Sequence, residues 1–579
     1  MKKYRNKLFS TAKIFMLLGL FLLTFSCDED KYMDEVPLDF QSPENSFVTN
    51  DDFVAAIYQL HVTVRNELWG QGGRDDMPRL AWYGTDLCCT YFDTSGSQDY
   101  KARWGADGVQ TNLWKTFYKL IYDANVIIGR SVSSESKLTP DEQVVIEAEA
   151  RFFRGYAYTM LAHLWGGVPI VLEETSGPKK DYVRASRDET YLQAASDLKF
   201  AAENLPDIDE VEESRINKLA ASHVLSEVYI SLKKWNEAIA EASKVIDHPN
   251  TALMTQRFGS RVNDTAHPEY PWGRGNDKDP YWDLFQPGNQ DRSAGNKESI
   301  WNLQYAYQVS GGGDNNYLLE RFVGPFITRA TLKQSDGKTV AVCVSPSTYY
   351  MGRSQGFMKP SSYFLKSLWN KSGWDTDLRN SSYNIVRDIK VNNPGSEFHG
   401  KWIIADDLPV ILSSNNDTAR YYYPMVMKVT TPEKHPAEFW DPNQTIPGTV
   451  LGTVQQTWRK HYMIRLAETY LLRAEAYLGS GDKIKAAADI NEVRRRSNAP
   501  DVSSDDVDID YIMDEQLREL SFETLRIFTL GRLNKIVERN REVNPLVGIK
   551  IGDHQTVWAI PNSEIQKNTG AELEQNPGY

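Results

Sequence analysis

The segment Tyr462–Arg496 constrains the fold more than any other stretch. Met463, Leu466, Ala467, Tyr470, Leu471, Ala474 and Tyr477 recur at three-and-four spacing, which places them on one face of a helix. A break at Ser480–Asp482 opens a second amphipathic run through Ala486, Ile490 and Val493. The predicted element is a helical hairpin with an apolar face that must be covered. Asn217–Ile246 repeats the layout, with Tyr229 nine residues before Ala238 as Tyr477 is nine before Ala486.

A bulky ring closing the first helix, and a small residue where the second helix crosses it, are what a tetratricopeptide-like hairpin requires. A third second-helix pattern, Ala194, Leu198 and Ala201 before Pro206, follows Gly155–Trp165 after an insertion. Hairpins of this kind bury their faces only against neighbours, so these distant pieces are expected to stack as one scaffold. Further predicted helices are Asn50–Val64, Leu113–Ile128, Asp141–Trp165, Arg187–Leu205 and Asp514–Glu538. The third of these stops at Gly166-Gly167-Val168-Pro169, a sharp turn.

From Asn250 to about Lys460 the texture changes to rings spread through Gly-, Asn- and Pro-rich sequence, with Ile403–Ile411 and Tyr421–Val429 as candidate strands. The expected fold is therefore mainly α: a tetratricopeptide-like scaffold over 47–249 and 460–579, with a loop-rich subdomain containing short strands inserted at 250–459. These parts are read as one domain, 47–579. A hydrophobic share of 41% fits an ordered globular chain. The 15 Trp and 30 Tyr exceed what a core needs, and rings among Gly, Asn and Pro are often surface binding platforms. Trp69–Asp107, a long loop region with seven large rings, is of this kind.

Lys2, Lys3, Arg5, Lys7 and Lys13 precede the apolar run Ile14–Phe25, and Leu23-Thr24-Phe25-Ser26-Cys27 closes it. The run is short for a membrane span and reads as a secretory signal, 1–26, with a lipobox-like end that makes Cys27 the lipidation site and 27–46 a tether. Several acyl chains anchor firmly where one is marginal. Loss of the five basic leader residues takes the net charge from −13 to −18, which argues against nucleic acid as a partner. The remaining Cys88, Cys89 and Cys343 form neither a disulfide framework nor a zinc spacing. A bridge from Cys343 to one of the other two is open, with buried thiols the main reading. No metal and no cofactor is expected: Asp375-Thr376-Asp377 and Asn276-Asp277-Lys278-Asp279 lack a dedicated calcium-loop spacing, and Gly311-Gly312-Gly313 reads as a flexible loop.

Several stretches, taken in order, resemble the SusD/RagB family of outer-membrane nutrient-binding lipoproteins. They are Ala148 to Tyr156 (AEARFFRGY), Trp165 to Pro169 (WGGVP), Lys218–Ala238, Arg465 to Ala476 (RLAETYLLRAEA), Asn491 to Arg494 (NEVR), Arg518 to Glu523 (RELSFE), and the ending from Ala559-Ile560-Pro561 to Gln575-Asn576-Pro577-Gly578-Tyr579. The resemblance implies four tetratricopeptide-like hairpins with a loop-rich face opposite. It also implies a SusC-like TonB-dependent β-barrel transporter as partner, on which the protein sits as a hinged lid and delivers oligosaccharides, or in some branches peptides. One departure is Ile527 to Arg532, where the family often carries an aromatic, Asp, Leu and Arg; it concerns helix packing.

Sugars present flat C–H faces and a ring of hydroxyls, so a site should combine Trp and Tyr with amides and charges on loops. Trp104, Trp272, Trp282 and Tyr317 are the candidate stacking rings, with Tyr91, Asp99 and Arg103 beside them. Trp114, Trp165 and Trp301 lie in or beside regular elements and are read as core, and Asp86 as a turn cap. Arg518, Glu519 and Glu523 sit at helical spacing and read as buried pairs rather than an acid/base site, so no catalytic residue is expected. The alternatives are peptide capture, or a scaffold that binds only protein.

Overall fold

The structure is a computed structural model that describes residues 46–579 except 70–80, 91–103, 109, 176, 264–277, 314–318, 347–351, 412–419, 444–445, 447, 453 and 455–456. In the first half, α1 (Asn50–Val62), α2 (Gln110–Ser131), α3 (Pro140–Trp165), α4 (Arg187–Asn204), α5 (Lys218–Ser231) and α6 (Trp235–Ile246) follow the predicted periodicity. Their starts are chemically marked. Thr139 and Glu142 close a capping box on α3 with Pro140 at its first position, Ser186 and Glu189 do so on α4, and Asn217 accepts from two backbone N–H groups of α5. The chain leaves α3 at Gly166, whose φ of 75° suits glycine.

After the insert come α7 (Leu466–Gly479), α8 (Lys483–Arg496), α9 (Ile509–Leu520), α10 (Arg526–Arg532) and α11 (Ile536–Val543). Packing runs from α2 to α3, α4, α5, α6, α7 and α8 in turn, so α6 and α7 join two halves that the insert separates in sequence. Ala194, Ala238 and Ala486, the small second-helix residues, are fully buried. Gly155 lets α3 approach α4: a Cβ there would lie 2.8 Å from Leu198 Cγ and 3.1 Å from the Ala194 carbonyl. Gly479 plays the same part for the Trp235 ring, 2.7 Å from where its Cβ would be.

Three expectations are corrected. His461–Arg465 is a strand rather than the start of the hairpin's first helix, and it pairs antiparallel with Ser299–Leu303, a fully buried strand. Both its faces are covered, so its apolar residues carry no helix-specific period. Asp514–Glu538 is not one helix: after Leu520 the backbone turns through Phe522 at φ 59°, and helix resumes at Arg526. The two candidate strands shrink to Val410–Ile411 and Met425–Val426, because loop and 3₁₀ turns take up the rest. The other small sheets pair Cys88–Thr90 with Met358–Pro360, Thr331–Lys333 with both Thr339–Ala341 and Val410–Ile411, and Ile385–Val386 with Met425–Val426. Among the described residues no helix is long and apolar enough to cross a membrane.

A buried ion network ties insert to scaffold. Arg465 reaches Glu298 at 2.7 Å, Glu519 at 2.7 Å and Glu523 at 2.9 Å, and Arg496 joins Glu298 at 2.6 Å and also Glu519. From the insert, Arg379 pairs with Asp377 and Glu515 at 2.8 Å each, while Arg494 and Arg518 also hold Glu515. Burial works against the Glu515 charge, but Arg379, Arg518 and Arg494 outweigh it and draw its carboxyl down to about 2. Arg518, Glu519 and Glu523 are thus members of buried ion pairs, as expected, although Glu523 lies beyond the end of α9. Asp86, read as a turn cap, is instead a fully buried partner of Arg526 and Arg539, at 2.6 and 3.0 Å. Cys88, Cys89 and Cys343 are buried, and among the described residues they form no disulfide with one another; burial pushes Cys343 up to about 12.

Candidate functional site

Trp301 on the buried strand Ser299–Leu303 packs edge-on against Phe152, Phe153 and Tyr156 of α3, which fixes where the chain emerges from the core. Tyr305 is still buried; Tyr307, two residues on, is half-exposed. The loop between them and Gly313 is pinned. Arg65, on the π-helical extension of α1 at Thr63–Leu68, donates to the carbonyls of Gln304 at 3.2 Å and Gly311 at 2.9 Å. Ala306 N–H donates to the Gly312 carbonyl at 2.8 Å, and a Cβ on Gly312 would stand 2.5 Å from the Ala306 oxygen. Gly311-Gly312-Gly313, expected to be flexible, is therefore a close-packed turn.

Tyr307 meets two rings from the far end of the insert. Its centroid is 4.2 Å from Trp458 and 5.9 Å from Phe439, and Phe439 and Trp458 stack at 5.6 Å with 10° between planes. All three rings are half-exposed. Phe439 and its neighbours are held by a hairpin: the Leu451 N–H donates to the Phe439 carbonyl at 2.8 Å, and the Trp440 indole N–H donates to the His435 carbonyl at 3.0 Å. His435 Nε2 lies 2.9 Å from Glu320 Oε1. Burial disfavours the Glu320 charge, but His435 and the Thr430 hydroxyl outweigh it and hold the carboxyl below its usual range.

A polar rim completes the cluster. The Tyr307 hydroxyl donates to the Glu438 carboxylate, and the Gln308 amide donates to Glu438 at 2.9 Å and to the Tyr307 hydroxyl at 3.3 Å. Gln308 adopts φ 54°, a left-handed conformation that costs a non-glycine residue about 1 kcal/mol and that recurs at ligand sites. Three convergent, half-buried rings beside an exposed amide and an exposed carboxylate suit the C–H faces and hydroxyls of a sugar. A further half-buried ring, Trp374, has the Arg387 guanidinium over it at 4.5 Å in a hollow of about 540 Å³ bordered by Ser381, Ser382 and Asp388.

The sequence-predicted rings divide otherwise. Trp104 is 1% exposed and stacks on Trp558 at 4.3 Å, and Trp282 is 4% exposed with the Arg261 guanidinium over it at 5.0 Å. Both fill the interior, so neither offers an open face to a ligand. Tyr91, Asp99, Arg103, Trp272 and Tyr317 lie outside the described residues, as does Cys27. Trp114, Trp165 and Trp301 are core, as expected. Sequence reasoning passed over Tyr307, Phe439 and Trp458, although the Tyr-Ala-Tyr-Gln run leading into a triple glycine marks the first of them.

Two family models match the chain: one described as "Starch-binding associating with outer membrane" over residues 81–230, and one described as the SusD family over 297–579. Among curated proteins, SusD-like protein P2 of Formosa agariphila is 22% identical over 605 residues, covering 100% of both chains. SusD-like protein P25 of the same organism is 25% identical over 316 residues, about half the length of either chain, at 52% of each. Among solved structures, a laminarin binding SusD-like protein matches with a TM-score of 0.62 at 20% identity, over 92% of this chain and 100% of that one. Surface glycan-binding protein A from Bacteroides thetaiotaomicron, in complex with laminarihexaose, matches with a TM-score of 0.64 at 16% identity, over 91% and 100%. At such identities the structural likeness is one of fold.

Proposed function

The chain belongs to the SusD/RagB family, and from that premise we propose that it captures oligosaccharides at the cell surface and hands them to a TonB-dependent, SusC-like β-barrel transporter. The observation that carries the reading is the open cluster of Tyr307, Phe439 and Trp458 with Gln308 and Glu438 at its rim. Rings that stack on the sugar need no chemistry beyond contact, and the Glu438 carboxylate accepts from Tyr307 and Gln308. The protein acts in this reading as a binder and not a hydrolase. Tyr91, Asp99, Arg103, Trp272 and Tyr317 are further proposed contacts. Cys27 is the proposed lipid anchor, holding the protein in the outer membrane and facing outward. Motion is rigid-body hinging on the barrel, with the helical stack unchanged.

The test is affinity electrophoresis of the purified protein against a panel of soluble polysaccharides, with Tyr307→Ala and Trp458→Ala beside the unaltered chain. One glycan class should retard the protein, and each substitution should weaken retardation about five- to thirty-fold, since a desolvated stacking ring contributes about 1–2 kcal/mol beyond simple coverage. Retention of full binding by both variants, with a helical signal unchanged, would place the glycan elsewhere. Release of reducing ends from the bound polymer would overturn the non-catalytic reading.

A further inference from the structure

A second surface, remote in sequence from the ring cluster, is built on α2. Trp114, Tyr118 and Tyr122 recur every four residues along one face of that helix, with Lys115 and Lys119 beside them. Across from them run Lys179 to Tyr182 and the C-terminal stretch Glu564 to Leu573, and together these enclose an open groove of about 560 Å³. Its far wall is fixed. Asn568 accepts from the Tyr182 N–H and donates to the Tyr182 carbonyl, both at 2.8 Å, and the Gly570 N–H donates to the Lys180 carbonyl at 2.6 Å. On the near wall the Tyr118 hydroxyl donates to the Pro169 carbonyl at 2.7 Å. Tyr122 remains 44% exposed although it lies in the groove.

The groove is basic in a strongly acidic protein. Lys119 is paired with Asp123 at 2.9 Å and Lys567 with Glu564 at 3.0 Å, which accounts for the one lining carboxylate. Lys115 and Lys179 form no ion pair among the described residues, and the Lys179 ammonium lies 5.3 Å from the Tyr182 ring centroid. Two unneutralised ammonium groups bracketing a row of rings, on a chain of net charge −13, mark a site for a negatively charged ligand that also has an apolar face.

We infer that this groove binds an acidic saccharide segment, a uronate- or sulfate-bearing chain, whose rings lie along Tyr118, Tyr122 and Tyr182 while Lys115 and Lys179 meet its anionic groups. The inference shares its class of ligand with the capture reading above but not its site. A neutral sugar would leave both ammonium groups unmatched, and an acidic peptide would leave the row of rings without flat partners. With a second site, a long chain is held at two points, and its avidity exceeds that of either contact alone.

The experiment is binding of the purified protein to two acidic polymers, polygalacturonate and carrageenan, to their carboxyl-reduced and desulfated forms, and to poly-L-glutamate, at low and raised ionic strength. At least one acidic glycan should bind, losing affinity as salt is raised. Lys115→Gln with Lys179→Gln should weaken that binding about five-fold, the effect of two partly exposed charge contacts. Both lysines are solvent-facing, so folding is not at stake, and Tyr122→Ala gives a second, uncharged probe expected to weaken binding as well. Tyr307→Ala with Trp458→Ala should leave the lysine-dependent component in place, which separates failure at this groove from failure at the ring cluster. Equal binding of the neutralised polymers, equal binding of poly-L-glutamate, indifference to the lysine substitutions, or no acidic glycan bound at all would each overturn the inference.

Discussion

Arg465 ties three carboxylates from distant segments to one buried cation. It ends the strand His461–Arg465, immediately before α7, and its buried guanidinium is shared among Glu298, Glu519 and Glu523. A buried ion pair gains little over apolar packing, yet removing one member leaves the others charged and uncompensated. Arg465 serves three carboxylates at once, so the loss is concentrated there. Arg465→Met, similar in length and without charge, is expected to cost about 3–5 kcal/mol. Chemical denaturation followed by circular dichroism would measure it; a loss below about 1 kcal/mol would mean that Arg496 and Arg379 carry the network alone. The sequence pattern shows Arg518 and Glu519 as charges on one helix, while Glu523, read as continuing it, lies beyond the end of α9. It hides Arg465 and Glu298 as partners, since charge pairs between distant segments have no local period.

At the scale of elements, the helical scaffold is the most legible part of the molecule. Capping residues and three-and-four periodicity place α1 to α6 within a few residues, and the ring-to-alanine spacing finds the crossing points in α6 and α8. The same tools fail where packing rather than period sets the backbone. His461–Arg465 reads as helix because its apolar residues run straight into those of α7, and only its partner Ser299–Leu303, far away in sequence, makes it a strand. Trp104 and Trp282 read as platforms because they stand among loop residues; Trp558 and Arg261, which cover them, come from elsewhere in the chain. Tyr307, Phe439 and Trp458 converge from two loops, and nothing local announces the meeting. Gly155 tests the crossing that the sequence does show. A methyl at that position meets Leu198 Cγ at 2.8 Å and the Ala194 carbonyl at 3.1 Å, and the carbonyl is backbone, so α3 and α4 must separate. Gly155→Ala is expected to cost about 1–3 kcal/mol by overpacking, despite alanine's better helix propensity. A thermal midpoint raised by the substitution would show that the two helices adjust freely.

For the molecule as a whole, the question is whether insert and scaffold unfold separately. The two strands His461–Arg465 and Ser299–Leu303 join them by backbone pairing, and Asp377 and Arg379 of the insert enter the same ion network as α8 and α9. Acid tests this coupling, because two groups that respond to it sit where scaffold meets insert: His461 on the strand paired with Ser299–Leu303, and Glu515 on Arg379. Burial pushes His223 down to about 3, and burial together with the Arg459 charge does the same to His461, so both are neutral in the folded chain. A histidine with a depressed folded value stabilises fully above its unfolded value of about 6.5 and loses that contribution as pH falls toward 3, at about 1.4 kcal/mol per pH unit for each group. Glu515, drawn down to about 2, adds a second loss below about pH 4.3. Glu227, raised by burial and the Glu475 charge, and Glu468, raised by burial and the Glu227 charge, work in the opposite direction as they protonate, and so partly offset His223. Above about pH 4.5 the lowered carboxylates do not respond and the histidines set the direction; His163, lowered by burial and the Arg532 charge, joins the other two, and the balance is loss of stability on acidification. Scanning calorimetry from pH 8 to pH 4 is therefore expected to show a single transition whose midpoint falls below about pH 6.5, with insert and scaffold melting together. His461→Gln should shallow the fall. Two transitions that separate as the pH is lowered would mean that the network links neighbours without making them one cooperative unit, and the proposed glycan site on the insert would then be free to melt while the helical stack remained folded.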